Sequence, residues 1–358
     1  MDQIFKDLKV IELASVLAGP AVGLFFAELG AKVVKVENKK GGGDITRTWR
    51  LASEDKNAPV SAYYCAINWN KEVLLVDLST TEGKEQVYEL VREADVVIAN
   101  YKKKSAQKLG VDYAQLKAIN ATLIYANISG FGEESERVAF DVVLQAESGF
   151  MYMNGQPESP PTKMPVALID ILAAHQLKEG ILVALLQRYQ SGKGAYVSVS
   201  LLEAAVASLA NQATNWLMAG HIPQRMGSLH PNIAPYGELF ETKDNKLLIL
   251  SIGSNRQFVQ LCNSLERFDL LEQEIYKTNG SRVKNRTSLA EELRQSFGEF
   301  EAAIILERCH QNFVPIGLVR NMKEVFEQET AAKMLLEEEI DGMKTLRVKT
   351  AAFKLDMD

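Results

Sequence analysis

Residues 16–37 read VLAGPAVGLFFAELGAKVVKVE, and the fold turns on how this stretch is read. An apolar strand, Lys9–Leu13, leads into it. A turn of small residues follows, then a helical segment, a second strand at Val33–Val36 and an acidic residue, Glu37. This is the outline of a dinucleotide-binding unit, but its glycines are wrong. A G-x-G-x-x-G loop needs its first glycine for the tight turn, its second for close approach of a pyrophosphate and its third for helix packing. Here Ala18-Gly19-Pro20 occupies the turn and only Gly23 follows. The pattern therefore points to a nucleotide fold and away from an NAD-linked oxidoreductase.

Working outward, short β-branched runs alternate with helical patterns as far as residue 130. They are Val73–Leu78, Thr81–Ala94, Val96–Ala99, a helix near Tyr113–Ile119, and Leu123–Ile128. Unalternating strands between amphipathic helices are parallel, buried on both faces and joined by right-handed crossovers. That is an open α/β sheet. In Ser79-Thr80-Thr81-Glu82 the hydroxyls sit where a helix N-cap belongs. Residues 130–165 are dense in Gly, Pro, Ser and Glu and break the alternation, which marks a functional connection. Two long helical patterns follow, Ile171–Gln190 and Leu201 to about Met218. Between them lie the turn Ser191-Gly192-Lys193-Gly194 and a short strand, Tyr196–Ser200. The character changes near Gly220. Beyond Tyr236 a strand at Lys246–Ser251 and helices at Arg256–Ser264, Leu289–Ser296 and Phe300–Cys309 suggest a second domain, with Val314–Val319 as a strand leading out of it.

The bulk properties narrow the function classes. A chain of 358 residues and 39.7 kDa is long enough for two domains. Its net charge of −6 and pI of about 5.5 argue against a nucleic-acid partner, since phosphate binding favours a basic excess. No apolar run reaches the roughly 18 residues of a membrane span, and the N-terminus MDQIFKDLKV lacks the apolar core of a signal peptide. A cytoplasmic protein with no membrane partner is expected. Cys65, Cys262 and Cys309 are widely spaced and form no metal-ligand pattern, so reduced, buried thiols are expected and no metal site.

In MPVALIDILAAHQLKEGILVALL, residues 164–186, a single carboxylate, Asp170, stands between an apolar approach and a long apolar helix. Two readings stay open. As an N-cap, Asp170 would accept the first free N–H groups of the helix. As a functional group, it would be kept ionised by the helix N-terminus and act as a nucleophile toward an activated acyl group. Lys102, Lys103, Lys104 and Lys108 follow Asn100-Tyr101 at the end of a strand, where ligands of open α/β sheets bind, and are placed to meet phosphates. Of the four histidines, His230, in the Pro-bracketed HPNIAPY, is the one best placed to face a pocket. No G-x-S-x-G, H-E-x-x-H or Walker A motif occurs.

Seven blocks in order carry a family resemblance: LKVIELASVLAGPAVGLFFAELGAKVVKVEN, GGGDITR, NWNKEVLLVDLSTTEGKE, ADVVIANY, LKAINATLIYANISGFG, the Asp170 segment and VPIGLV. Together they resemble the family III CoA-transferases, the CaiB/BaiF group, over nearly the whole chain. The resemblance implies a Rossmann-like open parallel sheet in a large domain built from both chain ends, residues 1–220 completed by about 330–358. A smaller α+β domain, 221–329, lies between, and two chains interlock as a homodimer. It implies an enzyme that moves coenzyme A from an acyl-CoA to a small carboxylic acid, with no permanently bound cofactor and with acyl-CoA as substrate. Asp170 matches the family's nucleophilic aspartate, which forms a mixed anhydride and then an aspartyl-CoA thioester.

By the same matching, coenzyme contacts fall on Val16, Leu17 and Ala18, on Val76, Asp77, Leu78 and Ser79, on Asn100 and Tyr101, on Lys108 and Leu109, and on Arg137, Val138, Ala139 and Phe140. Lys108 stands where relatives often have arginine, keeping the charge without the bidentate fork. Asn38 and Glu72 also replace arginines of the usual pattern, and the chain stops short of most relatives. HPNIAPY and GSNRQF resemble relatives that use succinyl-CoA or other small dicarboxylate donors. A racemase of the same fold is the nearest alternative, but its histidine before the loop Asp is Phe140 here. A catalytically silent acyl-CoA binder is the other.

Overall fold

The β-branched runs build one sheet, whose inner strands, buried on both faces, satisfy their backbone groups only by pairing with one another. The expected burial on both faces fails at the two edges, where Val73, Leu75 and Tyr196 are exposed. A computed structural model describes residues 4–355. Its first part runs β1 (Lys9–Leu13), α1 (Ala18–Glu28), β2 (Lys32–Asn38), α2 (Ala62–Cys65), β3 (Lys71–Val76), α3 (Thr81–Arg92), β4 (Val96–Ala99), α4 (Lys103–Leu109), α5 (Tyr113–Ile119) and β5 (Ile124–Ser129). Then come α6 (Asp141–Glu147), α7 (Phe150–Met153), α8 (Leu168–Ser191), β6 (Ala195–Ser200), α9 (Leu201–Ala207) and α10 (Ala210–Ala219). The six strands are parallel in the order β3-β2-β1-β4-β5-β6, with Val10 paired to Val33 on one side and Val96 on the other. Strand order reverses between β1 and β4, and the crevice outside the carboxyl ends of the strands at such a point is where these folds bind ligands.

Each face of the sheet has its own core. Val10, Val33, Val96 and Ile124 pack with Val22 and Phe26 of α1 and with Ala173, Leu177 and Ile181 of α8. On the other face Ile11, Val34 and Val97 pack with Val87 and Val91 of α3 and Leu116 of α5. Each such aliphatic side chain contributes roughly 1.5–3 kcal/mol on burial. Helix α1 is buried nearly all round, as expected for a helix without a polar face. Thr80 caps α3, its hydroxyl accepting from Gly83 N–H at 3.0 Å. Gly192, at φ +67°, ends α8 in the left-handed conformation that glycine adopts without strain.

Gly23 of α1 lies against a buried acid. A Cβ there would stand 2.0 Å from Glu12 Oε2, too close for either group to keep its place. Gly23→Ala is expected to lower stability by about 1–3 kcal/mol, measured by denaturant unfolding, although alanine is the better helix former.

Chain contacts divide the protein into two units. One takes in the chain up to Met151, Lys163–Pro223 and the chain from Lys333 onward; the other is Tyr152–Thr162 with Gln224–Ala332. The second unit holds an antiparallel sheet of β7 (Tyr236–Glu241), β8 (Leu247–Ser251) and β9 (Ile316–Leu318), with β8 in the middle. Helices α11 (Asn255–Ser264), α12 (Asp269–Glu272), α13 (Asn279–Lys284), α14 (Arg286–Glu299) and α15 (Ala302–Gln311) lie between β8 and β9. Phe240, Leu250, Phe258, Leu261, Leu293 and Phe297 are central to its core. A hairpin, β10 (Leu335–Ile340) and β11 (Met343–Val348), belongs to the first unit.

Three expectations are corrected. The stretch Val314–Val319 does not lead out of the second unit; it supplies β9, which pairs with β8. The single helix from Leu201 to Met218 is two helices, because Ala210 takes φ +47°. The irregular stretch 130–165 contains α6 and α7. The three cysteines are buried and unpaired. Among the described residues no helix is long and apolar enough to cross a membrane.

Candidate active site

The turn after β1 carries the feature that the missing glycines hid. Val16, a β-branched residue, sits at φ +72°, a conformation that costs such a residue about 1–3 kcal/mol. Its neighbours hold it there. Val16 N–H donates to Asp44 Oδ2 at 3.2 Å, and Asn100 brackets Ser15 by accepting from its N–H at 3.2 Å and donating to its carbonyl at 2.9 Å. Helix α1 begins at once. The N–H groups of its first turn have no intrahelical acceptors, and here they belong to Ala18 and Gly19, since Pro20 has none to give. Glu37, the acid that would take a ribose in a dinucleotide fold, is already occupied. It accepts from Arg47 Nε at 2.7 Å, Tyr64 OH at 2.8 Å and Asp44 N–H at 2.9 Å.

Beneath the turn lies a buried chain of charges. Lys35 Nζ reaches Glu12 Oε1 at 2.8 Å, Asp44 Oδ2 at 3.0 Å and the Ala14 carbonyl at 2.9 Å. Lys71 Nζ takes the other oxygen of Glu12 at 2.7 Å and the Pro20 carbonyl at 2.8 Å. Burial opposes the charge on Lys35, but Glu12 and Asp44 outweigh it and hold its pKa above the ordinary lysine value. Glu12 is likewise held below the usual carboxylate range, Lys35 and Lys71 outweighing its desolvation.

Two clefts open at the carboxyl ends of the strands. The first, of about 440 Å³, is lined by Ala14, Asn38, Asp77, Ser79, Tyr101 and Leu109, among others, and also by Val76, Leu78 and Asp44. Asp77 accepts from Ser79 N–H at 3.0 Å and pairs with Lys40 at 2.9 Å. The Ser79 hydroxyl and Lys40 hold its carboxyl down to about 2. The second, of about 380 Å³, is lined by Asn100, Tyr101, Asn127, Arg137, Ala139 and Tyr196, among others. Lys102 and Lys103 lie on its wall too, but Lys102 donates to the Glu136 carbonyl and Lys103 pairs with Glu134. Arg137 stacks 3.7 Å from the Phe131 ring and pairs with Glu147. Tyr101 is common to both clefts.

Asp170 is not the N-cap. Helix α8 starts at Leu168, so Asp170 is its third residue, and the cap position, Ala167, makes no side-chain bond. The capping role falls to Asp141, whose Oδ1 accepts the Ile169 N–H at 2.7 Å. Asp170 is 9% exposed. Burial, and then the charge of Asp141, push its carboxyl up to about 7, so the expectation that the helix end alone keeps it ionised at neutral pH is also corrected. Tyr63 is within reach of the same charges. Burial first, then Asp170 and Asp141, raise its phenol, and its ring meets Trp49 edge-on at 5.1 Å. The sign of the pH effect follows. Between about pH 4 and about 7 the folded Asp170 keeps a proton that an unfolded carboxyl releases, so stability from this group falls as pH rises across that window and then levels. Asp170→Asn is expected to remove this slope and to gain about 2–4 kcal/mol relative to the wild type at pH 8, read from denaturant unfolding at pH 5 and 8.

The fold thus gathers most of the expected residues into four places. Val76 to Ser79, Tyr101 and Leu109 share the first cleft; Asn100, Tyr101, Arg137 and Ala139 share the second; Asp170 stands beside Asp141, in the same segment as Arg137 and Ala139. Val16, Leu17 and Ala18 form the turn at the switch point. Lys108 lies in the last turn of α4 and lines neither cleft, while Val138 and Phe140 are exposed beside the second. His230 belongs to the second unit, where its Nδ1 accepts the Asn232 N–H at 3.2 Å. Sequence reasoning met Asp141 only as the loop Asp of the racemase comparison and Asp44 only within GGGDITR, giving neither the contacts it makes here, and it missed Tyr63 and the Glu12–Lys35–Lys71 chain. Only the last had a signal, charged residues inside strands whose neighbours demand burial on both faces.

Compared with known proteins, residues 5–358 match the model of a family described as CoA-transferase family III. A succinate–glutarate CoA-transferase of Agrobacterium fabrum is 39% identical over 327 residues, 90% of this chain and 81% of that protein. A succinyl-CoA:glutarate CoA-transferase of Homo sapiens is 34% identical over 324 residues, 90% of this chain and 73% of that one. Among solved structures, a CaiB/BaiF family protein from Brucella suis superposes with a TM-score of 0.88 at 36% identity, covering 100% of this chain and 94% of that one.

Proposed function

This chain belongs to CoA-transferase family III, and from that premise we propose that it moves coenzyme A between small carboxylic acids with Asp170 as the attacking group. The observation that carries the reading is the desolvated carboxyl of Asp170 at the head of α8, raised to about 7 beside Asp141. A carboxylate stripped of water and made more basic is a stronger nucleophile. Its oxygen attacks the thioester carbonyl, the C–S bond breaks, and coenzyme A leaves as a thiolate from a mixed anhydride. The thiolate then attacks the aspartyl carbonyl and expels the donor acid, giving an aspartyl-CoA thioester. An acceptor carboxylate attacks that thioester and releases the thiolate again. Attack of the thiolate on the acceptor's acyl carbon restores Asp170. Each step exchanges one acyl bond for another and the protons balance without a net gain or loss.

In this reading the adenosine diphosphate end of the coenzyme docks at the switch point, against the Val16–Ala18 turn and the cleft of Asp77, Ser79 and Tyr101. The segment Arg137–Phe140 then carries the arm toward Asp170, because the next residue, Asp141, holds the head of α8 through the Ile169 N–H. The names of the relatives make succinyl-CoA and glutarate the first pair to try. The unit that holds the six-stranded sheet is then the coenzyme-binding domain, and the smaller domain is Gln224–Ala332 together with Tyr152–Thr162, a segment that the expected boundary near 220 had left in the large one. The working form is a homodimer: Val183, Leu186 and Tyr189 of α8 and Trp216, Leu217 and Met218 of α10 are exposed, apolar surface that a second copy would cover. Light scattering should give twice the chain mass.

The test is incubation with succinyl-CoA and glutarate, with glutaryl-CoA as the expected product. Hydroxylamine should inactivate the enzyme only when acyl-CoA is present, leaving a hydroxamate on the peptide that contains Asp170. Exchange of deuterium into the α-carbon without transfer would identify a racemase instead, and neither reaction a silent binder.

A further inference from the structure

The charges behind the switch-point turn are not needed by any bond-making step, yet they end on the strained residue. Asp44 is buried, and its carboxylate has four donors: Val16 N–H at 3.2 Å and Lys35 Nζ at 3.0 Å on Oδ2, Thr46 N–H at 3.0 Å and Thr46 Oγ1 at 2.8 Å on Oδ1. With every acceptor site taken, it has none left for a ligand. Lys35, fully buried, holds Asp44 with one hydrogen and the Ala14 carbonyl with another. The two residues thus clamp the turn from both ends, Ala14 before it and Val16 within it. Val16 is β-branched and does not choose φ +72° unaided. A strained turn persists only where its surroundings over-determine it.

We infer that Lys35 and Asp44 are positioning residues for coenzyme binding, holding Val16 in the left-handed conformation so that the Val16–Ala18 turn presents its backbone to the coenzyme. This rests on the reading above that the turn is a coenzyme contact. It separates their work from the chemistry at Asp170, since a loosened turn weakens binding of the nucleotide end in ground state and transition state alike.

The test is isothermal titration with free coenzyme A, alongside steady-state kinetics. Asp44→Asn keeps the shape but turns one acceptor oxygen into a donor, so the four contacts cannot all survive. It is expected to weaken the Kd for coenzyme A and raise KM for acyl-CoA by about tenfold, with kcat at saturation changed by no more than about twofold. Adding Val16→Gly, which adopts positive φ without strain, is expected to bring Kd back to within about threefold of the wild type. A purely structural role would lower the melting temperature and leave Kd of the folded protein unchanged. That outcome, or no recovery on adding Val16→Gly, overturns the inference. Should Asp44→Asn not fold, Thr46→Val removes one hydroxyl from Asp44 Oδ1 and is expected to weaken Kd about twofold to threefold; unchanged binding there also overturns it. If the wild type itself does not bind coenzyme A, the coenzyme-site reading fails, whereas binding by the wild type with unaltered affinity in Asp44→Asn defeats the positioning inference alone.

Discussion

Asp170→Asn is expected to abolish CoA transfer, lowering kcat by at least about 10³-fold while the protein stays folded. The fold tolerates the change because Asp170 does not cap its own helix: Asp141 does, through the Ile169 N–H. Asparagine matches the buried shape, carries no charge into a site where charge is disfavoured, and removes the like-charge repulsion with Asp141. An amide nitrogen or oxygen cannot make the mixed anhydride, so no trapped hydroxamate should form. Acyl-CoA should still bind, because the proposed docking site of its nucleotide end, the Val16–Ala18 turn, does not use Asp170. Transfer by purified Asp170→Asn at more than a few per cent of the wild-type rate, with deamidation ruled out by mass, would remove Asp170 from the mechanism.

Glu12→Ala is expected to be the most damaging single change to the fold, costing about 3–5 kcal/mol and about 10 °C in melting temperature. Glu12 is fully buried, with Lys35 on one oxygen and Lys71 on the other. Removing it leaves two lysines near each other in a water-poor interior, with only Asp44 as counter-charge. The loss is the penalty of stranded charge rather than the worth of the pair, and that distinction can be measured. Glu12→Leu with Lys71→Met removes one acid and one base and leaves Lys35 with Asp44, so it should recover at least half of the lost stability. If the double change is as unstable as Glu12→Ala, packing and not charge explains the loss.

The periodic features were legible in the linear chain because they depend on neighbours. Runs such as VVIA at Val96–Ala99 and LIYANIS at Leu123–Ser129 announce strands buried on both faces, and the spacing between them demands parallel crossovers. The boundaries slipped where exposure overrode pattern. The edge strand β3 begins at Lys71, two residues before the apolar run, because pairing with β2 rather than hydrophobicity ends it. Ala210 breaks a helix that its sequence favours, and no local signal marks it.

For the site, the linear chain determined the chemistry on offer: a lone carboxylate entering an apolar helix, a nucleotide-type β-α-β unit without its glycines, and an ordered set of family blocks. Only the tertiary structure decided the state of those groups. Whether Asp170 is ionised depends on burial and on Asp141, a partner brought close by the fold of α6 against α8. The N–H of Val16, a residue at positive φ, is met by Asp44, 28 residues further along the chain. Glu12 and Lys71 pair across a separation of 59 residues. Desolvation and Coulomb interaction act through distance in space, and distance along the chain carries no record of it.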